Sequence, residues 1–299
     1  MNIATHNGPF HADDVLAAAA LRLLHPEGRI IRTRNPAELA KADIRIDVGG
    51  VFDPDNMTFD HHFKGSPVGP LGVRLSSAGM VWQKFGPQIV EAVRGSLGYD
   101  QELDVADQVY ADLFAAVDAA DNGEAESMAA PGVEQFTFSH AVSNFNPNWD
   151  GNQTPEAFDS AFVAAMGFAQ TVLLGVIKKA LGGASAARLV RDAIEGDPAI
   201  VILDRFMPWH ETLVPGTVNA KFVVFPNPEG TWMVQCVPPT LGSFGQRQAL
   251  PEPWAGLRDE AFAEVSGVPS SVFCHPNRFI CGAKDRDSAV ELAVLALSY

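Results

Sequence analysis

The chain has 299 residues, 47% apolar and 19% charged, a globular composition that excludes a disordered, collagen-like or coiled-coil protein. Lysine and arginine total 21 against 36 acidic residues, so the net charge is −15. That charge opposes wrapping by duplex DNA, yet it permits a local basic cleft for a short anionic substrate or carboxylates gathered around divalent metal. Three cysteines, Cys236, Cys274 and Cys281, form no even disulfide framework and no Cys-x-x-Cys zinc pair, and the N-terminus reads Met-Asn-Ile-Ala-Thr-His without a basic or apolar leader. A reducing, cytoplasmic setting is expected.

The first sixty residues alternate between strand and helix. An apolar strand over residues 1–6 ends at His6, and an Ala/Leu-rich helix covers 14–24. A strand over 29–33, a helix over 36–41 opened by Pro36, a strand over 44–48 stopped by Gly49-Gly50, and a short strand over 57–60 follow. Such alternation predicts an α/β fold: a mostly parallel sheet flanked by helices.

Residues 76–93 and 103–120 carry apolar positions at helical spacing, and 144–155 is dense in turn formers. A helical tract over 155–195 is expected to break at Gly182-Gly183. Its apolar part, Ala161 to Leu181, is read as a buried helix rather than a membrane span, because Gly167, Gln170 and Gly175 interrupt it and Lys178-Lys179 close it. Strands over 199–203, 221–225 and 231–237, a helix over 257–265, a hairpin over 272–280 and a helix over 287–297 complete the chain. Two domains are therefore expected, 1–196 with the helical connection and a smaller α+β domain at 197–299.

The chemistry concentrates near the N-terminus. His6-Asn-Gly-Pro-Phe-His11-Ala-Asp13-Asp14 places several donors on the loop after the first strand, Asp47 ends another strand, and Asp60-His61-His62 ends a third. In an open parallel sheet the carboxyl ends of strands share one edge, so residues distant in sequence converge there. Imidazole and carboxylate without thiolate suit manganese, iron or zinc, and two such ions can clamp a phosphoryl group and lower the pKa of a water between them. Any one of these residues alone is ordinary. Asp-His-His arises on the order of once in a hundred random orderings of this composition, and its coincidence with His-x4-His-x-Asp points to a metal site.

These residues resemble the DHH phosphoesterase superfamily, named for the Asp60-His61-His62 motif, and within it the melanocyte-proliferating-gene family. The likeness runs nearly end to end through Thr5 to Asp13, Asp47-Val48-Gly49-Gly50, Phe59 to His62, Ser76-Ser77-Ala78-Gly79, Asp118-Ala-Ala-Asp121-Asn122-Gly123, and Leu250 to Glu260. That family has been listed as uncharacterised or as metal-dependent protein hydrolases, and later associated with RNA exonuclease activity. The resemblance implies that His6 and His11 bind one metal, Asp13 and His61 the other, and that Asp47 bridges them. It gives Asp121 as the last carboxylate ligand, with Asp118 as the competing candidate. It implies that Asp60 orients a ligand and that His62 meets the transferring phosphoryl. Asp14 has a plainer reading, a carboxylate favoured in the first turn of a helix.

Two departures stand out. Many DHH relatives carry aspartate where this chain has His11, which lowers the site's negative charge and shifts metal preference toward softer ions such as zinc, iron or cobalt. Where relatives often carry Gly-Gly-His, this chain reads Cys281-Gly282-Ala283. Because the N-terminal motifs lack cations for a phosphate, Arg247, Arg258 and His275 are candidate substrate-binding groups of the second domain, with Arg278 and Lys284 behind them. Phe136, Phe138, Phe145 and Trp149 could stack bases, although aromatics beside a long helix more often pack a core.

The expected activity is divalent-metal-dependent hydrolysis of phosphodiester bonds in short single-stranded RNA or small nucleotides, in the manner of an exonuclease. Two ions are expected, manganese first, with zinc, iron, cobalt or magnesium as alternatives. The competing readings are a metal-dependent protein hydrolase, disfavoured by the lack of a His-Glu-x-x-His helix, and a non-catalytic metal or nucleotide binder. Duplex DNA and membrane partners are not expected; a homodimer is allowed.

Overall fold

Two five-stranded sheets organise the chain, and the computed structural model describes residues 1–99, 103–125, 130, 132, 133 and 135–299. The chain divides into two units, Met1–Leu181 and Gly182–Tyr299. The fold is α/β, with a parallel-rich sheet in the first unit and a mixed sheet in the smaller second unit.

In the first unit, β1 (Asn2–Thr5), α1 (Ala12–Leu24), β2 (Arg29–Arg32), α2 (Pro36–Leu39) and β3 (Ile44–Ile46) follow the predicted alternation. A two-residue strand, β4 (Phe52–Asp53), was too short for any periodicity to reveal, and it precedes β5 (Thr58–Phe59). The strand order is β2-β1-β3-β5-β4, with β2, β1, β3 and β5 parallel and β4 antiparallel at the edge. The chain leaves β1 toward β2 and returns to the other side of β1 as β3, so β1 and β3 flank a topological switch point.

The helix α3 (Ser77–Ser96) packs on α1, whose Ala17, Ala18, Ala19 and Ala20 are all buried and let the two axes approach closely. The predicted helix over 103–120 is three pieces: α4 (Ala106–Val109), a π turn over Tyr110–Phe114, and α5 (Ala115–Asp121). Such a π turn inserts a residue into the helical repeat and often marks a functional position. Here it precedes Asp118, which is fully buried and ties α5 to the start of α3. One carboxylate oxygen, Oδ1, accepts from Ser76 N–H at 3.0 Å, the Ser76 hydroxyl at 2.6 Å and Gly79 N–H at 3.2 Å; Oδ2 accepts from the Tyr110 hydroxyl at 3.0 Å. Asp118 therefore satisfies N–H groups that the helix start leaves unpaired.

The tract after residue 155 forms α7 (Pro155–Ala193), preceded by the short α6 (Phe138–Ser143). The expected break at Gly182-Gly183 does not occur: those glycines sit inside a continuous helix, where glycine weakens but does not stop the hydrogen-bonded ladder. The reading of this stretch as a buried helix holds for one stripe only. Phe162, Ala165, Ala169, Leu173 and Ile177 are buried, but only 28% of the most apolar window is, and by length and composition alone the helix could cross a membrane.

In the second unit the strand order is β6 (Ile200–Ile202), β7 (Phe222–Pro226), β8 (Trp232–Cys236), β10 (Ile280–Ala283), β9 (Ser271–Cys274), with β6 parallel to β7 and the rest antiparallel. Period-two alternation assigns the two faces. Phe222, Val224, Val234 and Cys236 join Trp254 and α9 (Asp259–Ser266) and α10 (Arg286–Leu297) on one side. Val223, Phe225 and Met233 join Val190, Trp209 and α8 (His210–Gly216) on the other. The three cysteines are free and buried.

Two predictions follow from Asp118. A Cβ at Gly79 would overlap the Asp118 carboxylate, so Gly79→Ala should displace it from Ser76 and cost about 3 kcal/mol, read as a lower urea midpoint; an unchanged midpoint would contradict this packing. Burial pushes the Asp118 carboxyl from its ordinary 3.8 up to about 6, against the pull of its four hydrogen bonds. The folded state then holds the extra proton between those values, and this group's contribution to stability falls as pH rises from about 4 to 6. Asp118→Asn should lose that slope, so the stability difference between parent and variant in urea titrations of metal-free protein should change between about pH 4 and 6 and be flat above it.

Candidate metal centre

Three adjacent parallel strands deliver the donors. His6 follows β1, Asp47 follows β3, and Asp60-His61-His62 follows β5, so all three segments emerge at the carboxyl edge beside the switch point. The loop after β1 adds His11, and the first turn of α1 adds Asp13 and Asp14. Asp121 arrives at the last residue of α5.

His6 Nε2 lies 3.2 Å from Asp47 Oδ2 and 3.2 Å from Asp14 Oδ2. On the other side of Asp47, His61 Nε2 lies 3.4 Å from Asp47 Oδ1, 3.0 Å from Asp121 Oδ2 and 3.8 Å from Asp13 Oδ2. Three sets of donor atoms each lie within 4.8 Å of one another: His6, His11 and Asp47; Asp13, His61 and Asp121; and Asp47, His61 and His62. Asp47 and His61 each belong to two of these sets.

The donors fit divalent cations on two grounds. Both oxygens of Asp13 are buried and have no hydrogen-bond partner among the described residues, so its charged form is poorly compensated, with His61 Nε2 3.8 Å away. Burial, then Asp47, Asp121 and Asp14, accordingly hold its pKa well above the usual carboxylate range. The second ground is tautomeric. His6 Nδ1 lies 3.2 Å from the Asn7 carbonyl; donating there leaves Nε2 as the lone-pair nitrogen facing Asp14 and Asp47. Without metal, burial works against a charged His6, but Asp14 and Asp47 outweigh it and raise its pKa to about 10. Burial likewise opposes ionisation of Asp47, and His6 and His61 override it, holding that carboxyl below its ordinary range.

The residues around the donors are fixed by local geometry. Asp47 adopts φ +55°, a left-handed conformation that aspartate tolerates better than most side chains and that occurs where a site imposes it. The turn continues through Gly49 at φ +110°, which a side chain would strain. The Ser77 hydroxyl donates to Asp47 Oδ1 at 3.1 Å. Asp60 Oδ2 accepts from Gly50 N–H at 2.6 Å, while Oδ1 accepts from His62 N–H at 3.0 Å and bonds His62 Nδ1 at 2.8 Å. Asp60 thus orients His62 itself, whose side chain is 63% exposed. Asn146 clasps the backbone of Phe10, accepting from its N–H at 3.1 Å and donating to its carbonyl at 2.9 Å, and so holds the loop that carries His6 and His11.

The structure separates the remaining candidates. Asp118 is occupied by Ser76, Gly79 and Tyr110, whereas Asp121 faces His61. The plain reading of Asp14 falls short: besides accepting from His11 N–H at 2.9 Å, its buried carboxylate faces His6. Arg247 is engaged inside the second unit, donating to Thr217 Oγ1 at 2.9 Å and to the carbonyls of Ala220 at 3.2 Å and Val214 at 2.6 Å. Arg258 is exposed, its guanidinium 5.7 Å from the Phe273 ring centroid. His275 Nδ1 accepts from Asn277 N–H at 3.0 Å. Cys281-Gly282-Ala283 is the buried strand β10, with Gly282 close against Phe273. Phe138 and Phe145 pack on Phe168 of α7, while Phe136 and Trp149 are 71% and 85% exposed.

Sequence reasoning missed Ser77, Asn146 and the α6 wall. Ser77 was visible only as part of a serine pair, and Asn146 only as a turn former. A cavity of about 600 Å³ lies over the donors, lined by Phe10, His11, Asp47, His61, His62 and Asp121, and closed by Ser139, His140 and Ser143 of α6.

A carboxyl-edge cluster of imidazoles and carboxylates on a parallel-rich sheet makes this an α/β protein with a candidate dinuclear metal centre. The pattern of MYG1_exonuc, described as an uncharacterised protein family (UPF0160), matches residues 2–297. The chain is 38% identical to the MYG1 exonuclease of Rattus norvegicus, covering 99% of this chain and 84% of the rat protein. It is 36% identical to the MYG1 exonuclease of Homo sapiens, covering 99% and 85%, and 33% identical to the MYG1 protein YER156C of Saccharomyces cerevisiae, covering 99% and 95%. The chain belongs to the MYG1 family. Among solved structures, the pGpG-specific phosphodiesterase PggH of Vibrio aligns over 99% of this chain and 98% of that one at 12% identity, with a TM-score of 0.32, too low to carry structure or activity across.

Ser77 offers a direct test of the support around Asp47. Ser77→Ala should weaken manganese binding about tenfold, measured by calorimetry, while leaving the fold intact by circular dichroism. Unaltered affinity would place Ser77 outside the centre.

Proposed function

We propose that this chain is a divalent-metal-dependent phosphoesterase that trims short single-stranded RNA or small nucleotides by hydrolysing phosphodiester bonds. The observation that carries the reading is the pair of donor sets on either side of Asp47, with Asp13 poorly compensated among them. The exonuclease names of the rat and human relatives support the reaction class.

His6, His11 and Asp47 would hold one divalent ion and Asp13, His61 and Asp121 a second, manganese first, supplying charge for the phosphoryl oxygens and acidity for the attacking water. The rest falls to the protein. Asp47 keeps the two donor sets in register, its backbone set at φ +55° and its oxygens faced by His6, His61 and the Ser77 hydroxyl. Asp60 anchors His62 at Nδ1 and leaves Nε2 on the exposed side, where it can donate to a phosphoryl oxygen or to the departing alkoxide. Phe10 and α6 shape the cavity that receives the adjacent nucleoside. Three buried free cysteines suit a reducing cytoplasm.

Labelled oligoribonucleotides incubated with manganese should shorten from one end, and casein should stay intact. Asp47→Ala and His61→Ala should each lower kcat/KM by roughly a thousandfold or more. Casein proteolysis without phosphate chemistry would contradict the proposal.

A further inference from the structure

The site as described has one unmet requirement. Five carboxylates and four imidazoles surround it, and the substrate brings phosphate, yet among the described residues no lysine or arginine lines the cavity on the α6 side. Of the second-domain candidates, Arg247 donates to Thr217, Ala220 and Val214 of its own unit, and the first unit holds a cation nearer the donors in sequence and strand order.

A second cavity of about 340 Å³ shares Asp47 and His62 with the first. It is lined by Asp47, Asp60 and His62, by Val48 and Gly49 of the turn after β3, and by Leu39 and Arg34. Arg34 follows β2, so it reaches the carboxyl edge from the strand next to β1. Its Nη1 donates to the Asn7 carbonyl at 2.7 Å. Its other guanidinium nitrogens make no hydrogen bond to the described residues, and the side chain is exposed. Among the described residues lining the two cavities, Arg34 is the one permanently charged cation.

We infer that Arg34 is the phosphate-binding cation of this centre, and that the substrate lies across Asp47 and His62 with its phosphate-bearing end in the Arg34 cavity and a nucleoside in the α6 cavity. The inference rests on the phosphoesterase reading. One anchored nitrogen fixes the guanidinium plane and leaves a donor edge for phosphate oxygens, the fork geometry that favours arginine over lysine. Two cavities meeting at one reacting centre suit a diester with groups on both sides of the phosphorus better than a monoester with a group on one.

The rival reading is that Arg34 only steadies the Asn7 carbonyl, which also faces His6 Nδ1. The two differ in what the variants change. With manganese-loaded protein and a 5′-phosphorylated diribonucleotide, Arg34→Ala should raise KM roughly ten- to hundredfold with little change in kcat or bound manganese, and Arg34→Lys should recover part of the loss. Calorimetric titration of inorganic phosphate should show a matching loss of affinity in Arg34→Ala. An active parent whose KM and phosphate affinity are unchanged by Arg34→Ala overturns the inference and leaves the phosphoesterase reading standing. Loss of manganese in the variant, with KM unmoved once metal is restored, also overturns it in favour of the steadying role. A parent that cleaves no phosphoester but binds phosphate through Arg34 overturns the activity and keeps the anion site; a parent that does neither removes both.

Discussion

The carboxylate of Asp47 is buried, ionised, and faced by histidines from two different strand ends. Its position depends on a backbone that turns left-handed at the end of β3, and on a sheet order that puts β3 between β1 and β5. His6 meets one oxygen and His61 the other, while Ser77 donates from the start of α3. A shift of one residue in the register of β3 would turn this side chain away from both histidines. The packing of α1 on α3, the tie from Asp118 to Ser76, and the clasp of Asn146 on Phe10 all act on the segments that meet at this carboxylate.

Such a site works against stability in isolation. Asp13, Asp14, Asp47, Asp60 and Asp118 are all buried in one unit, and only some of them find donors. Burying charge without a partner is costly, and the protein meets that cost with histidine on one face and with helix N–H groups on another. Asp13 has no hydrogen-bond partner among the described residues and only His61 Nε2 at 3.8 Å, and a divalent cation is the further compensation proposed for it.

Much of this was legible in the sequence, and for identifiable reasons. The strand ends at His6, Asp47 and Asp60 were readable because apolar strands stop at polar residues and glycines, and parallel topology brings such ends together without any need to know side-chain positions. What stayed hidden depended on tertiary contact. The role of Ser76 and Gly79 exists only because Asp118 approaches from α5, beyond a π turn that no periodicity announced. The charge of Arg247 is visible in sequence, whereas its hydrogen bonds to the carbonyls of Ala220 and Val214 are not. Arg34, in a strand-to-helix connection, carries no motif, and only the strand order brings it to the cavity that His62 also lines. Gly182-Gly183 misled in the opposite direction, since a helix of this length absorbs two glycines.

Two cations straddling Asp47 are the centre proposed for this chain. Anomalous diffraction from crystals grown with manganese tests this most directly. The account predicts two peaks, one among His6, His11 and Asp47 and the other among Asp13, His61 and Asp121, each within ligand distance of an Asp47 oxygen. Manganese bound elsewhere on the molecule, with these side chains left unliganded, would contradict it.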